Sequence, residues 1–161
     1  MTGREIERRF LVRGDAWRRG VQGTFYRQGY LVASDDCVVR VREAGEKAWL
    51  TIKGRREGLS CPEYEYPLPL SEAIDMLQNI CMRPFIEKTR YSLDFKGMVW
   101  VVDEFEGENK GLVIAEVELA QEHQVVELPP WTGREVSFDP KYLNMNLMKH
   151  PYGRWPSEMK R

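Results

Sequence analysis

The chain has 161 residues, 42% of them hydrophobic and 30% charged, and 24 Lys and Arg against 25 Asp and Glu leave a net charge of −1. That is enough apolar material for one packed domain, 1–161, and the mixed signs exclude a basic nucleic-acid tail or a long like-charge block. No apolar run approaches a bilayer-spanning length, the opening MTGREIERRF is charged where a signal peptide needs an apolar stretch, and Cys37, Cys61 and Cys81 are an odd, widely spaced set that fits free reduced thiols; the expectation is a cytoplasmic protein with no membrane partner.

In chain order, runs rich in Val, Ile, Tyr, Phe and Trp predict strands at roughly 4–13, 24–33, 36–43, 46–54, 61–68, 86–95, 98–106 and 112–120, with turn material such as Gly45-Glu46, Gly54 and Lys96-Gly97 between several of them. Eight strands at this spacing predict one antiparallel sheet, closed into a barrel, with a few flanking helices. After the fifth strand, Ser71 to Leu77 predicts a helix opened by a serine cap, with apolar residues at 73, 74, 77 and 80 on one stripe. In the tail, 139–149 predicts a short helix, because Pro140 suits a first helical position after an Asp139 cap, and Leu143 and Leu147 share a face.

Side chains two apart on a strand share a face. On the first strand Glu5, Glu7 and Arg9 oppose Ile6, Arg8 and Phe10; later, Arg40 and Arg42, Glu63 and Glu65, Lys88 and Arg90, and Glu116 and Glu118 each share a face opposite mainly apolar or aromatic residues. Lys53 and Asp103 add single charges to otherwise apolar strands. Periodicity by itself favours solvent-facing polar faces of a half-buried sheet. The alternative is a barrel with the charges inside, since eight strands leave room for side chains plus one small ligand. Like charges one strand-step apart repel by about 2 kcal/mol at an effective dielectric near 20, so such an interior calls for compensation. Divalent cations suit the carboxylates and a polyanion suits Arg and Lys.

The opening Glu5-Ile6-Glu7-Arg8-Arg9-Phe10 resembles the ExExK start of the CYTH superfamily, the triphosphate tunnel metalloenzymes. Arg27 to Leu31, Val39 to Arg42, Leu50 to Lys53, Glu63 to Glu65, Glu87 to Tyr91, Asp103, Ala115 to Glu118 and the tail from Trp131 to Asn144 follow the family's order and approximate spacing. The resemblance implies a charged tunnel in which a divalent cation, Mg²⁺ or Mn²⁺, helps bind a triphosphate-bearing small molecule. It assigns Arg9, Arg40, Arg42, Lys53, Lys88 and Arg90 to the phosphate oxygens. Glu5, Glu7, Asp103, Glu116 and Glu118 go to the metal, with Glu5, Glu7, Glu116 and Glu118 weighted most. Lys88, Glu63 and Glu65 take catalytic positions, Glu63 being the weakest candidate for metal contact.

Two departures bear on substrate preference: Arg9 replaces the lysine of ExExK, a planar fork for a compact ammonium, and Met145 and Asn146 lie where some relatives carry a lysine. The leading expectation is metal-dependent hydrolysis of inorganic triphosphate. The rivals are a class IV adenylate cyclase, for which Tyr30, Trp49 and Phe105 are the available lining aromatics, and a polyphosphate- or nucleotide-binding module without turnover. Lack of an extended basic surface argues against RNA. Trp17, Trp100, Trp131 and Trp155 read as packing residues, His123 and His150 as surface positions, and outward apolar strand faces leave room for a homodimer.

Overall fold

The computed structural model describes residues 3–160. Its strands are β1 (Arg4–Val12), β2 (Gly23–Ala33), β3 (Cys37–Ala44), β4 (Lys47–Gly54), β5 (Ser60–Leu68), β6 (Ile86–Phe95), β7 (Met98–Phe105), β8 (Val113–Glu118) and β9 (Thr132–Glu135), with α1 (Leu70–Asn79) after β5 and α2 (Asn144–Lys149) near the end. They run β5-β4-β3-β2-β6-β7-β8-β1-β9, and β5 pairs back onto β1, so the first eight strands close a cylinder and β9 lies outside the ring on β1. Two-residue turns at Gly45-Glu46 and Lys96-Gly97 join neighbouring strands; Gly45, Lys96 and Gly97 all have positive φ, the backbone that tight hairpins demand. The seam between β1 and β5 holds only three register pairs, Arg4 with Pro62, Glu5 with Cys61 and Ile6 with Ser60, against eight between β3 and β4.

Closure settles the face question left open by periodicity. Arg40 lies opposite Thr51, Thr51 opposite Glu65, Arg90 opposite Asp103 and Arg9 opposite Glu116, a continuous set that points into the lumen. The solvent-facing reading is therefore overturned. The outward residues pack under other layers instead. Phe10, Trp100, Val102, Ala115 and Val117 are covered by Trp17, Leu119, Val126 and Trp131, while Ala73 and Leu77 of α1 cover Val41 and Ala48. Gly29 makes the second contact close: a Cβ there would meet Cys81 Cβ at 2.8 Å and Leu77 Cδ2 at 3.0 Å.

The helices differ from expectation in three ways. Ser71 lies inside the first turn of α1, whose N-cap is Pro69; the Pro69 carbonyl accepts from the Glu72 and Ala73 amides, and no side chain caps. Ile80 falls past the helix end and is 62% exposed. In the tail Asp139 does cap, accepting from the Lys141 amide, but Leu143 is extended, so a 3-10 turn at Pro140–Tyr142 and the short α2 replace one continuous helix. This tail packs onto inward-facing Tyr30, Ile86, Phe105 and Ile114 through Val136, Tyr142, Met145 and Leu147, sealing one side of that end of the barrel.

Candidate active site

Beside the tail the lumen opens as a cavity of about 590 Å³, reaching from Ser34, Arg55 and Phe138 at its rim to Arg42, Lys88, Arg90 and Glu116 inside. A second cavity of about 560 Å³ lies toward the start of β2, among Arg19, Thr24, Tyr26, Ser92 and Asp94, and Arg90 borders both. The alternating faces of β3, β4 and β6 put Arg40, Arg42, Lys53, Lys88 and Arg90 on the lining, with Arg9 from β1. Arg9 is 4% exposed and donates to the Tyr142 carbonyl at 3.1 Å, which ties the tail to the tunnel wall.

Most of these cations have a carboxylate partner. Lys88 Nζ donates to Asp103 at 2.7 Å, and Arg90 donates from Nε and Nη2 to the same carboxylate at 2.7 Å each, with Glu116 at 3.5 Å from Arg90. Burial pushes the Asp103 carboxyl up, but Arg90 and Lys88 outweigh it and hold it well below the usual carboxylate range. Lys88 is pushed down to about 8, first by burial, with Arg90 adding to it and Asp103 opposing. On the other wall Lys53 donates to Glu5 at 2.6 Å and lies 3.1 Å from Glu63, while Glu65 accepts from Arg42 at 3.2 Å and from Thr51 at 3.0 Å. Burial pushes Glu5 up, yet Lys53, Arg40 and Arg56 bring it below its ordinary value.

Glu7 is different. Arg56 lies 3.3 Å away and Arg9 3.8 Å, but Glu118 sits directly across the strand pair, and burial together with Glu116 and Glu5 raises the Glu7 carboxyl to about 7. Glu118 is exposed near this cluster, its carboxyl raised by burial, Glu5 and Glu63. Among the described residues no three His, Cys, Asp or Glu side chains stand close enough to hold a metal ion as they are. The donor chemistry nonetheless fits a hard divalent cation: the clustered ligands are carboxylate oxygens, and the Glu7 carboxyl, raised to about 7, is poorly neutralised by the protein.

Of the charged residues assigned to the site from the sequence, all but Asp103 and Glu118 line the larger cavity. Asp103, 1% exposed, sits behind Lys88 and Arg90. Sequence reasoning passed over Arg56, which reaches Glu7 from the turn after β4, and Gln28, fully buried on the lumen face with Nε2 donating to the Tyr30 hydroxyl and Oε1 unpartnered. Neither lies in an alternating pair of like charges, so the pattern that found the others is blind to them. Tyr30 lines the cavity, and Phe105 belongs to the core beneath the tail.

Residues 3–146 match the model of the CYTH domain. The chain belongs to the CYTH family. It is 52% identical over 150 residues, 93% of this chain and 96% of the relative, to an inorganic triphosphatase of Acetivibrio thermocellus, and 36% identical over 149 residues, 89% and 95% of the two chains, to an inorganic triphosphatase of Nitrosomonas europaea. The crystal structure of an inorganic triphosphatase with 33% identity superposes with a TM-score of 0.65 over 89% of this chain and 93% of that one. This CYTH chain thus shares fold and nearly full length with them, in a family of metal-dependent enzymes. No helix among the described residues is long and apolar enough to cross a membrane.

Proposed function

We propose that this CYTH protein hydrolyses inorganic triphosphate to pyrophosphate and phosphate, using Mg²⁺ or Mn²⁺. The observation that carries the reading is the lining itself: eight basic side chains and a crowded carboxylate cluster face one cavity of about 590 Å³. Arg9, Arg40, Arg42, Lys53, Lys88 and Arg90 bind and orient the phosphate chain, Arg contributing bidentate contacts. Asp103 fixes Lys88 and Arg90, Glu63 steadies Lys53, and Glu65 steadies Arg42, so that the donors are in place before substrate arrives. Glu5, Glu7, Glu116 and Glu118 would hold the metal. The cation would neutralise charge on the phosphate oxygens, the main demand of phosphoryl transfer.

Inorganic triphosphate, ATP, thiamine triphosphate and RNA 5′-triphosphate, each assayed against Mg²⁺ and Mn²⁺, test the assignment. Metal-dependent release of one phosphate and one pyrophosphate per inorganic triphosphate is expected. Cyclic AMP and pyrophosphate from ATP as the dominant reaction, or full turnover after Arg42→Gln or Glu118→Gln, would overturn it. The same reading places the protein in the cytoplasm, supported by three unbridged cysteines, and leaves exposed Tyr64 and Tyr66 on the outer face of β5 as the surface of a homodimer, which sedimentation would test.

A further inference from the structure

Two rings on the lumen face have no part in the scheme above. Tyr26 on β2 lies directly across from Lys88, and Trp49 on β4 directly across from Arg42. The Arg42 guanidinium stands 5.2 Å from the Tyr26 ring centroid and 5.0 Å from that of Trp49, and the Arg90 guanidinium stands 5.3 Å from the same Tyr26 ring. These distances are within the range at which a ring face attracts a cation.

The two arginines are held differently at their edges. Arg90 gives Nε and Nη2 to Asp103 and reaches Glu116. Arg42 makes one hydrogen bond, from Nη2 to Glu65, and its Nε is buried without an acceptor. Burial and the like charges of Arg40 and Arg90 work against it and pull it below its ordinary pKa. A planar guanidinium so placed needs support that does not consume its N–H edge. Ring faces supply that, because they engage the plane of the group and leave its in-plane donors unoccupied.

We propose that Tyr26 and Trp49 are positioning residues that fix the guanidinium plane of Arg42 through their ring faces, leaving the N–H donors not given to Glu65 free for phosphate oxygens, and that Tyr26 supports the plane of Arg90, whose edge Asp103 holds. This rests on the reading of Arg42 and Arg90 as triphosphate-binding groups. It makes the rings part of affinity rather than of bond breaking.

The test takes Trp49→Leu, Tyr26→Leu, Trp49→Phe and Tyr26→Phe, each alone, and Trp49→Leu combined with Arg42→Gln, with KM and kcat for inorganic triphosphate, its Kd by calorimetry and the melting midpoint all measured. The leucine variants are expected to raise KM and Kd roughly 5- to 30-fold, the range set by partly desolvated cation–ring contacts, with kcat within about twofold. The phenylalanine variants recover most of that loss because they keep a ring. In the Arg42→Gln background Trp49→Leu adds less than about twofold, since the group it supports is gone. An unchanged KM and Kd in both leucine variants, a kcat loss that merely tracks the melting midpoint, or full multiplication of the Trp49→Leu and Arg42→Gln effects overturns the inference. A wild-type protein that binds triphosphate without hydrolysing it overturns the proposed function alone, and the Kd series then decides the role of the rings. Neither binding nor turnover overturns both.

Discussion

On the β6–β7 side of the lumen, Asp103 receives Lys88 at 2.7 Å and two donors of Arg90 at the same distance; on the β1–β8 side, Glu7 has Arg56 at 3.3 Å and Arg9 at 3.8 Å while Glu116, Glu5 and Glu118 crowd it. Both carboxylates face the interior of one barrel, Asp103 buried and Glu7 half-buried on the cavity wall. The first is satisfied by the protein and held ionised, the second is under-neutralised and raised to about 7. A buried charge set that closes on itself orders the groups around it, and one that does not close is prepared for an external cation. The family resemblance put both on one list of metal ligands, with Glu7 weighted above Asp103.

The largest test of this contrast removes the closed set. Asp103→Asn leaves Lys88 and part of Arg90 as buried, unpaired cations, and urea unfolding should show a loss of about 3–5 kcal/mol. A loss under about 1 kcal/mol would mean that Asp103 is not the counter-ion of Lys88 and Arg90. Glu7→Gln should act in the other compartment: roughly 100-fold lower triphosphate turnover at fixed Mg²⁺, with stability kept. Equal damage to folding and activity would erase the distinction between the two sides.

The pH dependence sharpens it further. With a folded pKa of about 7 against 4.5, Glu7 binds a proton more tightly in the folded chain, so its contribution to stability is present below about pH 4.5 and is lost as pH rises towards 7. Metal-free wild type should therefore lose on the order of 1–3 kcal/mol relative to Glu7→Gln between pH 4 and 8, read from paired melts. Activity at limiting metal should rise through about pH 7 as Glu7 ionises, and more metal should move that rise to lower pH. As a baseline, the exposed Lys96–Glu127 pair should contribute less than about 0.5 kcal/mol, measured as the change in urea midpoint on Glu127→Gln.

The eight barrel strands were legible because several are separated by turn signals and they carry apolar residues at alternate positions. Strand β9 was not: Thr132–Glu135 follows a Pro129-Pro130 turn but has no apolar alternation, and it is a strand only because β1 pairs with it. Ser71 misled because its preference for a cap is local, whereas the entry into α1 follows from Pro69 and the packing of Ala73 and Leu77 on β3 and β4. Within the site, alternation located Arg40, Arg42, Lys88 and Arg90 on the cavity wall, but the choice between lumen and solvent needed closure of the ring. Division of the carboxylates between Lys88, Lys53, Arg42 and the metal cluster needed strand register, within the β6–β7 hairpin for Arg90 and Asp103, 13 positions apart, and across the closed barrel for Lys53 and Glu5, 48 apart. Arg56 had no pattern at all, because turn residues have no face.

The β1–β5 seam is stitched by the fewest backbone rungs of the cylinder, and Glu5 sits on it while gripping Lys53 from the next strand but one. Deuterium should enter the amides around Cys61 sooner than those of the long β3–β4 hairpin. A guest that draws Glu5, Lys53 and Glu63 together would staple the barrel along its shortest join, so slowed exchange at that line of amides would report occupancy of the lumen without any assay of turnover.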